Sequence, residues 1–216
     1  MPYAALEEYS RAFPERFELV KFEYENAYDW PEMDTLRYEI CGCIGFGLNQ
    51  AAITLTNHLL ESLLKYSLAY TYSLRNERPL DPEYELVNLL MQYTEEGLKK
   101  YGKEKLSNNI AEAHRVGLIN GEEADILHFF RKKFRNPFGH SDKEGIFGEL
   151  SVPVTGATLQ GVELIARPEV DAEMAKMPIF HGIVQAQIAE IEAPRYFKKM
   201  DKFVRNLKGR VFPNDS

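Results

Sequence analysis

Apolar residues recur at three- and four-residue steps along most of this chain, the spacing of helices that bury one face. The longest such run goes from Asn49 to about Arg75. Ala52, Leu55, Leu59, Leu63, Tyr66 and Tyr70 make its stripe, and Leu60, Leu64, Ser67 and Leu68 widen it into a largely buried helix. Asn76 to Pro82 reads as a loop. Glu83 to Tyr101 is a second amphipathic helix, with Leu86, Leu89, Leu90, Tyr93 and Leu98 inward and Gly102 as its stop. A shorter helix, capped by Ser107 or Asn108, runs to about Val116, and Gly117 to Gly121 turns. Glu122 to Phe134 is the next helix, its stripe being Ile126, Leu127, Phe130 and Phe134. The expected core of this region includes Leu55, Leu59, Leu63, Leu90, Ile126 and Phe130.

The periodicity weakens on both sides. Residues 1–39 are acidic and aromatic, with Pro2, Pro14 and Pro31 as punctuation, and read as an N-terminal arm in which Phe17, Leu19, Phe22 and Tyr24 form a short strand or lie extended across the core. Gly42, Gly45 and Gly47 then interrupt the chain, and Cys41 and Cys43 sit at a helix start. The segment 145–178 mixes Val and Leu with Gly148, Pro153, Gly156 and Gly161, which fits a β-hairpin or other non-helical insertion. Ile179 to Leu207 is a final long helix, interrupted or kinked near Pro194. The expectation is a mainly α chain: the arm, then a single helical domain over 40–216, a bundle of about four to five helices with its insertion at about 145–178.

Composition narrows the function classes. The chain of 216 residues is 44% hydrophobic and 27% charged, as globular domains are. Its only two cysteines, Cys41 and Cys43, are too close for a disulfide framework and too few for a zinc site, which fits a reducing cytoplasm. Residues 1–20 lack the apolar run of a signal peptide, and Ile40–Leu48 is too short to span a bilayer, so a cytoplasmic protein without membrane attachment is expected. A net charge of −7 argues against coating long nucleic acid. The charge is uneven, however. Residues 1–39 hold ten acids and four bases, whereas 195–210 hold seven bases and one acid, Asp201. A second basic cluster, Arg131, Lys132, Lys133 and Arg135, with Lys143 beyond it, suits short contacts to RNA phosphates. The C-terminal run reads first as a solvated helix face.

The chemistry concentrates at Arg135-Asn136-Pro137-Phe138-Gly139-His140. Asn136 is a preferred helix cap and Pro137 a preferred first helical residue, so one helix should stop near Arg135 and another start at Pro137. His140 then lies in a first turn, where the positive end of the helix dipole disfavours imidazolium and leaves a neutral base. An arginine nearby can hold a phosphate in a planar fork. Together they suffice for attack of a ribose 2′-hydroxyl on its own phosphodiester, with no metal or other cofactor called for. The plainer reading is that Arg135 caps carbonyls or pairs with a carboxylate, and that His140 hydrogen-bonds a loop.

The helix from Ala124 and the motif ending at His140 resemble the HEPN superfamily, whose ribonucleases carry an Arg-x(4 to 6)-His motif, often with a polar residue after the Arg. The likeness covers about 100 residues, from Asn49 to His140, plus a C-terminal helix. It implies an up-and-down helical bundle, a homodimer with two motifs meeting at one composite site, and cleavage of RNA to a 2′,3′-cyclic phosphate and a 5′-hydroxyl. Arg135, Asn136 and His140 would be the catalytic set. The resemblance also implies a toxin–antitoxin, abortive-infection or stress role, with an antitoxin or regulatory protein as partner. In such proteins a polar or acidic residue from an early helix often approaches the motif, and Glu61 is the candidate here; a surface salt bridge is the plainer reading. The alternatives are a non-catalytic module that binds nucleotide, RNA or a protein partner, and a purely structural dimer domain. His114, His128 and His181 have no ligand-like spacing and read as structural.

Overall fold

A computed structural model describes residues 2–75, 86–135, 157–159, 162–164 and 178–212. Its helices are α1 (Pro2–Glu18), α2 (Lys21–Glu25), α3 (Pro31–Gly45), α4 (Asn49–Arg75), α5 (Leu86–Tyr101), α6 (Leu106–Arg115), α7 (Gly121–Phe130) and α8 (Pro178–Val211). A wider, π-type turn, Arg131–Arg135, continues α7. Two short strands, β1 (Ala157–Leu159) and β2 (Val162–Leu164), pair antiparallel with Ala157 opposite Leu164. The chain is mainly helical. Among the described residues no helix is long and apolar enough to cross a membrane.

Helix α4 is the centre. It contacts α3, α5, α6, α8 and the π turn, and Ala52, Ile53, Leu59, Leu60, Leu63, Leu64 and Leu68 on it are buried. Apolar side chains on more than one face are what allow neighbours all round. Gly97 lets α5 approach closely, since a Cβ there would lie 2.6 Å from the Ala69 Cα. Helix α8 packs Ala189, Ala193, Tyr196, Phe197, Met200, Val204 and Leu207 into the same core. Phe212, just past its end, meets the Trp30 and Tyr70 rings at 5.3 and 5.2 Å.

Several expectations are corrected. The residues read as a strand or extended arm, Phe17 to Tyr24, lie in and between helices α1 and α2. Phe13 stacks on Phe17 at 5.2 Å, a four-residue helical step. Gly42 does not interrupt the chain: α3 runs through it and through the expected boundary at 39/40, ends at Gly45 and turns at Gly47, whose φ is +72°. Cys41 and Cys43 are therefore at a helix end; burial pushes the Cys41 thiol up to about 12. Helix α6 starts at Leu106, with Lys105 rather than Ser107 or Asn108 at the cap. Ile126 is 43% exposed, so Leu127, Phe130 and Phe134 carry that stripe, while Leu55 is half-buried. Helix α8 continues through Pro194. Leu90 and the loop 76–82 lie outside the residues whose side chains the structure describes.

A buried polar network ties the N-terminal helices to the rest. Arg37 on α3 is fully buried. It donates to Asp34 at 2.7 Å and to the Glu23 carbonyl at 2.7 Å. Burial would raise the Asp34 carboxyl, but the Tyr28 N–H, Arg37 and the Trp30 N–H outweigh it and hold the group below its ordinary value. Arg205 on α8 forks onto Asp201 at 2.9 Å on both nitrogens and donates to the Asn26 carbonyl at 2.7 Å. The buried arginine thus serves carbonyls that α2 leaves open, since a five-residue helix satisfies few of its own.

Candidate functional site

Helix α7 begins on a reciprocal cap. Asn120 accepts from the Glu123 N–H, and Glu123 accepts from the Asn120 N–H, both at 2.9 Å. Glu123 also takes a bidentate fork from Arg210 of α8 at 2.7 Å on both arms, fixing where α7 starts. Ten residues later the helix widens into the π turn. Such turns are rare and cluster at functional sites. This one carries Arg131, Lys132, Lys133, Phe134 and Arg135, the basic segment just before the motif.

Arg135 does not point into bulk solvent. Its Nε donates to Glu61 Oε1 of α4 at 3.0 Å, a contact spanning 74 residues of sequence, with the two side chains 34% and 26% exposed. The structure therefore brings two sequence-chosen residues, Arg135 and Glu61, together. One turn earlier on α4, Asn57 braces the same helix end. Its amide donates to the Phe134 carbonyl at 3.3 Å, and its oxygen accepts from the Tyr196 hydroxyl of α8 at 3.0 Å. The Tyr196 ring stacks on Phe134 at 4.2 Å. Burial, then the neighbouring Glu61 charge, raises the Tyr196 phenol above its ordinary value, so it stays a donor. Neither Asn57 nor Tyr196 was singled out by sequence: a polar residue inside an apolar stripe and an aromatic before a basic run are common, and only the packing of α4, α8 and the π turn joins them.

Beside this brace lies a groove of about 400 Å³ between the π turn and α8, lined by Phe129, Phe130, Lys133, Phe134, Glu192, Arg195, Tyr196, Lys198 and Lys199. Lys133 pairs with Glu192 across it at 3.1 Å. The C-terminal basic run thus divides. Arg205, Lys208 and Arg210 are engaged inside the molecule, with Asp201, Asp29 and Glu123. Arg195, Lys198 and Lys199 line the groove, exposed and with no ion pair among the described residues.

No family model, curated protein or solved structure matches this chain. The HEPN likeness therefore rests on the residues alone. Of those, Asn136, His140 and Lys143 lie outside the described residues. Among the predicted RNA contacts Lys133 faces the groove; Lys132 is exposed away from it, and Arg131 is half-buried with its Nε lacking a partner. His128 is half-buried on α7, where burial and then Arg131 lower its pKa. Among the described residues no cluster of three His, Cys, Asp or Glu is placed to hold a metal ion. What the described site offers is an arginine fixed by a carboxylate at a helix end, next to an aromatic, cationic groove: fittings for a phosphodiester.

Proposed function

We propose that this chain is an endoribonuclease of HEPN type, in which Arg135 and His140 act on an RNA phosphodiester without a metal. The observation that carries this reading is the Arg135–Glu61 contact at 3.0 Å. An isolated arginine at a helix end loses rotamer entropy when it binds phosphate; one already held by a carboxylate from α4 loses less. In the proposed step His140 takes the proton of the 2′-hydroxyl as the oxygen attacks phosphorus, and Arg135 stabilises the charge on the phosphorane. The bond to the 5′-oxygen breaks, that oxygen leaves with a proton, and a 2′,3′-cyclic phosphate remains. Asn136 would cap the turn and place the other two. Two chains meeting about a two-fold axis would bring two such motifs to one phosphate.

The test is purified protein with mixed-sequence single-stranded RNA and mapped product ends. Cyclic phosphate and 5′-hydroxyl ends are expected, unchanged by excess EDTA. His140→Ala should abolish cleavage with helical content intact. Arg135→Ala should lose about 100- to 1,000-fold, and Arg135→Lys should not restore it, because a point charge does not replace a fork. Cleavage that survives His140→Ala, or stops with EDTA, rejects the mechanism, and a monodisperse monomer that cleaves rejects the composite site. A second reading, a module that binds RNA or nucleotide without cleaving, is favoured by the aromatic and cationic lining of the groove.

A further inference from the structure

The groove beside Arg135 contains something phosphate chemistry does not require: an open aromatic face. Phe129 is 51% exposed at its edge. Phe130, Phe134 and Tyr196 stand behind it, and the Lys133 ammonium lies 5.8 Å from the Phe129 ring centre and 5.1 Å from that of Phe134. Arg195, Lys198 and Lys199 occupy positions i, i+3 and i+4 of α8, one helical face. Among the described residues four cations thus surround a single carboxylate, Glu192, on a chain whose net charge is −7. Local charge opposed to the overall sign marks an anionic ligand. The volume, about 400 Å³, falls in the range of small-ligand sites. An acidic peptide would satisfy the cations and leave the ring uncovered. A nucleobase with its phosphates satisfies both, since any base can stack on an aromatic face while the cations follow the backbone.

We infer that this groove holds an unpaired base of the RNA strand, stacked on Phe129, with the adjoining phosphates on Arg195, Lys198 and Lys199. The inference rests on RNA being the substrate and adds its form: single-stranded at this position, because paired bases in a duplex keep their faces covered. Phe129 is then a binding and specificity residue beside Arg135, distinct from the cleaving pair.

The experiment uses the full chain carrying His140→Ala, so that the strand stays intact, titrated into a short fluorescein-labelled single-stranded oligoribonucleotide and read by anisotropy. Adding Phe129→Leu, which keeps apolar area and removes the π face, should weaken binding roughly 5- to 150-fold, and Phe129→Trp should retain it. Arg195→Gln with Lys198→Gln should flatten the salt dependence by about 0.7 in slope for each phosphate that is no longer neutralised. Duplex RNA of the same sequence should compete poorly, as should adenosine monophosphate. Unchanged affinity in Phe129→Leu, equal competition by duplex, or a free nucleotide that binds more tightly than the strand would overturn the inference. The two failures separate cleanly. A wild-type chain that binds RNA through Phe129 but cleaves nothing sinks the catalytic reading and keeps the groove. Cleavage indifferent to Phe129→Leu does the reverse.

Discussion

Asn57 is the residue whose loss should reveal whether the motif helix is braced as described. Truncation in Asn57→Ala leaves two buried groups without partners, the Tyr196 hydroxyl it accepts from at 3.0 Å and the Phe134 carbonyl it donates to at 3.3 Å. An orphaned buried polar group costs about 1–3 kcal/mol; the 3.3 Å bond is the weaker, so a total of about 2–4 kcal/mol is expected. For a chain of this size that lowers Tm by roughly 4–16 °C. Tyr196→Phe removes only the donor and leaves the Asn57 oxygen unpaired, about 1–2 kcal/mol. The double variant has no orphaned hydroxyl, so its cost should fall short of the sum by about 1–2 kcal/mol, the coupling of a direct contact. Chemical denaturation of the four proteins, followed by far-UV circular dichroism, measures the cycle. Additive losses, or a coupling below about 0.3 kcal/mol, would show that Asn57 and Tyr196 do not bond and would remove the brace from the account of Arg135.

Three further outcomes follow from the same structure. Glu61→Gln should lower the cleavage rate about 10- to 100-fold through a misplaced Arg135, with KM for RNA little changed; a variant as fast as the parent in single-turnover assays would show Glu61 to be a bystander. Asp34 has its folded pKa below its unfolded value of about 3.8, so its share of stability is present above that value and is lost as pH falls through the folded value. Asp34→Asn should therefore cost about 1.5–3 kcal/mol at pH 7 and flatten the loss of stability below about pH 4, and an acid-melting curve parallel to the parent's would refute the network. Gly97→Ala places a methyl 2.6 Å from the Ala69 backbone, so the clash should outweigh the gain in helix propensity, with a net loss of about 1–2 kcal/mol in a thermal melt; a stabilised variant would mean that α4 and α5 do not pack this closely.

The sequence by itself determined where most of the helices lie. The stripe from Ala52 to Leu68 predicted α4 with its observed ends, because periodic apolar residues on a long uninterrupted run have no other low-energy arrangement. It also marked Glu61 and Arg135, and the change of character after the motif. It failed where local cues were ambiguous. The aromatics of 17–24 keep no single period, and Gly42 looked like a break although tertiary burial of Met33, Leu36, Ile40 and Ile44 holds α3 through it to Gly45. Ile126 and Leu127 are equally apolar, and only tertiary packing decides which one is covered. The site divides in the same way. That lysines and arginines crowd 195–210 is composition; that Arg205, Lys208 and Arg210 are engaged internally while Arg195, Lys198 and Lys199 face a groove with Phe129 depends on which helix lies across α8. Asn57 reaches Phe134 and Tyr196 over 77 and 139 residues of chain, separations at which no local pattern carries information, so those partners were decided by the tertiary structure alone.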